Sequence, residues 1–300
     1  MVNLTILDGG MGRELKRIGA PFSQPLWSAQ ALIESPKHVK QAHHGFIDAG
    51  AQIITVNSYA CVPFHLGEAL YAEQGQVLAE KAAQLAREVA QESEKKILVA
   101  GALPPAFGSY RPDLFDTQRA QEITTHLVDA QQQYVDVWLA ETVASLGEMR
   151  VITQVLSNTD KPVYISFTLQ DETDQSPCLR SGESVSDAVS ELLDKNVAGI
   201  FFNCSIPEVI EHAIQEVNQV TEQTGKALII GVYANSFAPI KSDHQANQSL
   251  QEMRHFSPSE YLEYAQKWYQ LGASVIGGCC GIEPSHIQAL AKWRDSLEES

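Results

Sequence analysis

The sequence predicts an α/β fold, a (β/α)8 barrel spanning residues 1–300 as a single domain. Three observations predict it. Eight short apolar runs alternate with longer amphipathic stretches, the pattern of parallel strands joined by crossover helices. No Gly/Ser-rich linker or block of like charge divides the chain. Polar or reactive residues follow most of the apolar runs, and the C-terminal ends of strands are where barrel enzymes carry their chemistry. The competing architecture, an open doubly wound sheet, calls for a glycine-rich phosphate fingerprint. Gly9-Gly10-Met11-Gly12 does not have the G-x-G-x-x-G form.

The first run is Thr5-Ile6-Leu7. A helix over 36–49 follows, with Pro36 at its first position and Gly50 as its stop. The second run, 52–56, ends in Asn57-Ser58-Tyr59. The next helix is read from about Gln76 to Glu92, with Val77, Leu78, Ala82, Leu85 and Val89 as its apolar positions. The third run, Ile97-Leu98-Val99-Ala100, ends in Gly101 and a Pro104-Pro105 turn. A helix from Thr117 to about Gln133 leads into the fourth run, 135–140, which ends at Glu141. A helix to about Leu156 precedes the fifth run, 162–167.

After the fifth run comes a polar loop from Asp171 to Gly182, then a helix over 185–194 and the sixth run, Ile200-Phe201-Phe202-Asn203-Cys204. Pro207 opens a helix that ends near Gly225. The seventh run, 227–233, ends in Tyr233. Ser257-Pro258-Ser259-Glu260 has the form of a capping box with proline at the first helical position. The eighth run, Ala273-Ser274-Val275-Ile276, leads into Gly277-Gly278-Cys279-Cys280-Gly281. The last helix starts at Pro284. The loops 171–182 and 234–256 are the expected lids.

Composition narrows the function. With 21 basic and 37 acidic residues the formal net charge is −16, which argues against a nucleic-acid partner. No apolar run approaches the length that spans a bilayer, and the N-terminus has no secretory signal pattern. Five cysteines without such a signal point to free thiols in the cytoplasm.

The chemistry concentrates on Cys204, Cys279 and Cys280, at the ends of the sixth and eighth runs. Three thiolates with a vacant fourth position make a zinc site of the catalytic kind. On spacing alone, buried core cysteines and a redox-active vicinal pair remain open readings. Asp8, Asn57 and Glu141 end other runs, so the barrel brings them to the same rim.

Taken together, Leu7-Asp8-Gly9-Gly10-Met11-Gly12, Asn57-Ser58-Tyr59, Glu141-Thr142 with Ser145-Leu146, Asn203-Cys204 and Gly277-Gly278-Cys279-Cys280-Gly281 resemble the homocysteine S-methyltransferase family over nearly the whole chain. The resemblance implies Zn2+ held by Cys204, Cys279 and Cys280, with homocysteine sulfur at the open position and methionine as product. It implies a sulfonium methyl donor, S-methylmethionine or S-adenosylmethionine. It also implies a substrate-binding set of Glu141 and Asp8 for the α-ammonium and the Gly9-Gly10 turn for the carboxylate. Asn57, Asn203, Asn235 and Tyr233 are the further candidates around the pocket. The partners are then small molecules, homocysteine and the donor, with the oligomeric state open. The alternatives are betaine or another donor, a thiol or selenol acceptor other than homocysteine, and a non-catalytic zinc- or amino-acid-binding barrel.

Other residues are set aside. Cys61 and Cys178 are read as spare thiols. His43 and His44 point in different directions on one helix, which argues against a shared ligand role. His65 is not assigned to a metal, and Trp268 and Tyr269 are read as helix packing. The stretch Tyr59-Ala60-Cys61-Val62-Pro63-Phe64-His65 departs from the family pattern, which puts the donor in question if this loop touches it.

Overall fold

Side chains alternate faces along a strand, so each strand of a barrel sends every second residue toward the axis. The computed structural model, which describes residues 3–239 and 252–298, shows this directly. Its strands are β1 (Thr5–Ile6), β2 (Ile53–Thr55), β3 (Leu98–Leu103), β4 (Val137–Val143), β5 (Val163–Phe167), β6 (Gly199–Asn203), β7 (Ile229–Tyr233) and β8 (Ala273–Ile276). They form one sheet in the order β1-β8-β7-β6-β5-β4-β3-β2, every ladder parallel. A parallel bridge between Leu7 and Ile53 closes it. Across the seam Gln52 N–H donates to the Ile6 carbonyl at 2.7 Å, and Asp8 N–H to that of Ile53 at 3.0 Å. The fold is therefore the expected single-domain (β/α)8 barrel.

The helices are α1 (Met11–Arg17), α2 (Ala29–Glu34), α3 (Pro36–Asp48), α4 (Pro63–Leu66), α5 (Glu68–Glu92), α6 (Thr117–Gln131), α7 (Leu146–Val155), α8 (Val185–Leu192), α9 (Pro207–Thr224), α10 (Pro258–Gln270) and α11 (Pro284–Glu298). Their ends follow local chemistry. Asp116 accepts the Arg119 N–H at 2.7 Å and caps α6. The predicted capping box at Ser257 and Glu260 is formed, and Gly225, at φ +67°, ends α9.

Two apolar layers result. Leu7, Ile53, Ala100, Val137, Leu139, Phe201, Tyr233 and Val275 fill the barrel interior. The intervening residues, such as Ile54, Trp138, Ile200 and Val232, pack outward against the helices. Trp268 is fully buried there, and Tyr269 meets Trp293 edge-on, as expected of packing residues.

Several elements differ from their sequence reading. The helix read from Gln76 begins at Glu68, directly after Gly67, whose φ of +75° sets its start. Its Val77 is 62% exposed, so the buried stripe runs through Leu78, Ala82, Leu85 and Val89 instead. The third and fourth strands run on to Leu103 and Val143, past the glycine and the glutamate that were read as their ends. The short helices α1, α2 and α4 lie in connections where no helical period was visible. The polar loop expected as a lid over 171–182 is pinned at both ends, with antiparallel bridges Leu169–Leu179 and Cys178–Ser184. Of the second expected lid, residues 240–251 lie outside the described residues.

Candidate active site at the C-terminal rim

The inward parity of the strands selects the site. On β4 the inward series is Val137, Leu139, Glu141. On β6 it is Phe201, Asn203, and on β7 Gly231, Tyr233. The last residue of each series, Glu141, Asn203 and Tyr233, opens on a cavity of about 210 Å³ at the C-terminal rim, lined also by Asp8, Cys204, Cys279 and Cys280. Residues as distant in sequence as 8 and 280 thus share one space.

Cys204 directly follows β6 and sits at φ +50°, a left-handed conformation unusual for a side chain of this kind. Its carbonyl accepts two hydrogen bonds, from Tyr110 Oη at 3.2 Å and from Thr168 Oγ1 at 3.2 Å. Arg180 supports both donors. Its guanidinium lies 4.7 Å from the centre of the Tyr110 ring, and its Nε donates to Thr168 Oγ1 at 3.5 Å. Arg180 is held in turn by Asp171 at 3.2 Å, in a pair whose side chains are 5% and 2% exposed. The other Asp171 oxygen accepts the Ile206 N–H at 3.3 Å.

The second cysteine group sits in a turn locked to the first strand. Gly278 N–H donates to the Asp8 carbonyl at 2.9 Å, Gly10 N–H to that of Ile282 at 3.0 Å, and Cys279 N–H to that of Ala234 at 2.9 Å. Gly10 serves close approach: a Cβ there would stand 2.5 Å from the Cys279 carbonyl oxygen. Gly281, at φ +85°, lets the chain leave the turn. Cys279 Sγ lies 2.8 Å from Cys204 Sγ. Hydrogen bonds to both neighbouring cysteines, together with burial, push the Cys279 thiol well up from its ordinary value. The hydrogen bond from Cys279 draws the Cys280 thiol down, and the charge of Arg13 acts in the same direction.

Among the described residues no three His, Cys, Asp or Glu side chains stand ready-arranged to hold a metal ion. The donor chemistry nevertheless fits a soft divalent cation. Cys279 is in hydrogen-bonding contact with both of the other thiols, and all three line the cavity.

The acids differ in commitment. Asp8 is 3% exposed and accepts Thr55 N–H at 2.7 Å and Thr55 Oγ1–H at 2.9 Å. Burial still raises it to about 7. Glu141 makes no hydrogen bond among the described residues, and its pKa is raised well above the usual carboxylate range by burial, then by Cys204 and Asp8. It lies within β4, two residues before the strand ends, so its exposure to the cavity comes from parity and not from a helix N-terminus.

The asparagines are largely spent on the protein. Asn203 accepts from Thr142 N–H at 2.8 Å and Ser166 Oγ–H at 2.8 Å, and donates to Thr142 Oγ1 at 3.0 Å, bracing three strand ends. Asn57 donates to the Ser28 carbonyl at 3.3 Å, and both it and Asn203 line the cavity. Asn235 does not line it; its Oδ1 accepts the Phe237 N–H at 3.1 Å, closing its own turn. The Gly9-Gly10 turn offers less than expected, because the Gly10 N–H is already used by Ile282.

Cys61 is fully buried and its thiol is pushed up to about 12 by burial. Cys178 lies away from the cavity. His43 is buried while His44 pairs with Glu92 at 2.8 Å, so the two do point apart. His65, however, lines the cavity, as do Arg13, Trp27, Tyr59, Phe64, Tyr110 and Phe237. These come from α1, α4 and loops, where strand parity gives no signal. The unusual stretch 59–65 was the one available hint.

Fold and site together define a (β/α)8 barrel enzyme whose rim cavity gathers three thiols beside two acids. The sequence profile of the homocysteine S-methyltransferase family matches residues 5–294. The chain belongs to that family, and so to the methyltransferases. It is 30% identical to homocysteine S-methyltransferase 1 of Arabidopsis thaliana, covering 96% of this chain and 92% of that protein. It is 28% identical to selenocysteine Se-methyltransferase of Brassica oleracea var. italica, covering 96% and 88%. Among solved structures, the metallated form of the homocysteine methyltransferase MmuM from Escherichia coli superposes with a TM-score of 0.79 at 27% identity, covering 97% and 96%.

Proposed function

We propose that the chain, as one homocysteine-binding barrel over residues 1–300, transfers a methyl group from a sulfonium donor to L-homocysteine, giving methionine. The observation that carries this reading is the convergence of Cys204, Cys279 and Cys280 on one cavity with Glu141. The donor, S-methylmethionine or S-adenosylmethionine, loses its positive charge as its S–CH3 bond breaks and the new S–CH3 bond forms. The homocysteine thiol proton goes to solvent, and the donor leaves as a neutral thioether.

Cys204, Cys279 and Cys280 are the residues that would hold Zn2+. Zinc, when bound, supplies an acidifying centre that keeps a substrate thiol nucleophilic near neutral pH. Glu141, its oxygens not committed elsewhere, takes the α-ammonium of homocysteine, with Asp8 beside it. Asn203 and Asn57 hold the strand ends in place around them, while Asn235 and Gly9-Gly10 shape the turns that flank the cysteines. Trp27, Tyr59, Phe64, Tyr110 and Phe237 line the cavity with rings that exclude water from the reacting sulfurs. Because the sulfonium charge disappears in the transition state, the pocket contributes mainly by alignment. The similarity to a selenocysteine Se-methyltransferase favours a second reading, a selenol as acceptor. Small molecules are the partners in either case. No helix among the described residues is long and apolar enough to cross a membrane, and all five cysteines are free, which suits the cytoplasm.

The test is methionine formation from homocysteine by zinc-loaded protein, followed by mass spectrometry. S-methylmethionine, S-adenosylmethionine and betaine are offered separately, with selenocysteine as a second acceptor and a chelated sample in parallel. Chelator-sensitive product from one sulfonium is expected. Cys204→Ser should lose zinc and activity together, whereas Glu141→Gln should keep zinc and raise the homocysteine KM roughly tenfold or more. Unchanged activity in Cys204→Ser overturns the site.

A further inference from the structure

Two polar nitrogens in the cavity are buried and unpartnered, and neither belongs to the cysteines or the acids. Arg13 Nε, on α1, has no hydrogen-bond partner among the described residues, and no carboxylate pairs with its guanidinium there. Its neighbour on the same helix, Arg17, is bound to Glu14 at 2.7 Å. The Arg13 guanidinium instead lies 6.0 Å from the centre of the Phe237 ring, and both residues line the cavity.

His65 Nδ1, on α4, is the second. The other ring nitrogen bonds to the Pro25 carbonyl, and burial lowers the ring to about 4, so the imidazole is neutral. A neutral ring that donates through one nitrogen presents a lone pair on the other. Nδ1 is therefore an acceptor without a donor. Leaving a buried donor and a buried acceptor unmatched is unfavourable, and a ligand that satisfies both removes that cost.

The two atoms are complementary to an α-amino-acid head: a guanidinium for a carboxylate, a lone pair for an ammonium. They sit on α1 and α4, in the connections that follow β1 and β2, and Arg13 is near enough to Cys280 for its charge to act on that thiol. The proposed homocysteine position draws instead on Glu141 and the three cysteines at the strand ends. The rings of Trp27, Tyr59 and Phe64 line the same cavity and offer surfaces that attract an onium cation.

We infer that Arg13 and His65 form the recognition site for the second substrate, binding the α-amino-acid head of a sulfonium methyl donor, Arg13 on its carboxylate and His65 Nδ1 on its α-ammonium. This rests on reading the cavity as a methyl-transfer site and adds the part that selects the donor. It predicts that amino-acid sulfoniums are used and that a sulfonium without the head gains nothing from either residue.

The experiment uses zinc-loaded protein, Arg13→Gln and His65→Phe, with S-methylmethionine, S-adenosylmethionine and trimethylsulfonium as donors. Arg13→Gln should raise the KM of the amino-acid donor that the wild type uses by roughly ten- to a hundredfold, and His65→Phe by about tenfold. The homocysteine KM should stay within about twofold, and the slow rate with trimethylsulfonium should match the wild type. An increase confined to homocysteine overturns the assignment, because it places Arg13 on the acceptor. Equal losses with trimethylsulfonium also overturn it, because they mark a structural defect. If the wild type methylates homocysteine from no sulfonium, the methyl-transfer reading fails by itself. Calorimetric titration with S-methylmethionine then decides the subsite: binding to the wild type that is lost in Arg13→Gln supports it, and absence of binding overturns it.

Discussion

At the end of β6 a single cysteine is held by side chains, whereas at the end of β8 two cysteines are held by backbone. The Cys204 carbonyl is clamped by Tyr110 and Thr168, which Arg180 and Asp171 fix from behind. That clamp is assembled from two separate connections, β3–α6 and β5–α8, and holds a non-glycine residue at φ +50°. The Cys279–Cys280 turn relies instead on glycines that let it press against the β1 turn, peptide against peptide. Side-chain clamps can hold a strained backbone, a conformation that costs of order 1–3 kcal/mol. Glycine packing avoids the strain but fails as soon as a methyl group is added.

The largest effect should come from the side-chain end. Arg180→Met leaves Asp171 buried without its partner, and a loss of about 3 kcal/mol in stability is expected by urea denaturation. Tyr110→Phe, which removes only the hydroxyl bond to the Cys204 carbonyl, should cost about 1 kcal/mol. If Tyr110→Phe costs as much as Arg180→Met, the clamp is not organised around the ion pair. Zinc content, measured in the same samples, should fall more in Arg180→Met.

Next in size is the backbone end. Gly10→Ala drives a methyl group onto the Cys279 carbonyl oxygen and should cost about 2 kcal/mol. Combined with Arg180→Met the losses should add to within about 0.5 kcal/mol, since the two supports share no residue. Coupling well beyond that in the double variant would mean that the two ends are one unit.

A last effect concerns pH, and it sharpens the contrast because a titrating acid braces the β4–α7 junction beside the clamp. Glu148 accepts the Ala144 N–H at 2.9 Å, and burial, with Glu183 adding to it, raises its pKa from 4.5 to about 7. The folded chain then keeps a proton that the unfolded chain releases. Stability is full below about 4.5, falls as pH rises toward 7, and stays lower above it. Glu148→Gln should flatten that fall in thermal or urea unfolding followed from pH 4.5 to 8. A slope identical to that of the wild type would show that the carboxyl titrates normally.

Much of this is legible in the sequence itself. The eight strands, the capping box at Ser257, the stop at Gly225 and the rim positions of Cys204, Cys279, Cys280 and Glu141 followed from apolar period, cap chemistry and strand order. The short helices α1, α2 and α4 were not legible, because pieces of four to seven residues carry too little apolar period to register. The ends of β3 and β4 were misplaced because pairing with neighbouring strands, rather than the apolar run itself, sets where a strand stops.

By itself the sequence determined the barrel, because the apolar runs and the order of elements are local properties of the chain. It also determined that thiols and acids would meet at one rim. Only the tertiary structure decided how each was spent. Asn203 turned inward to brace Thr142 and Ser166, while Glu141 stayed uncommitted. The same packing committed the Gly10 N–H to Ile282 and left Arg13 and His65 with unmatched atoms in the cavity. Hydrogen-bond pairing depends on distances between residues far apart in the chain, and those distances exist only once the barrel has closed.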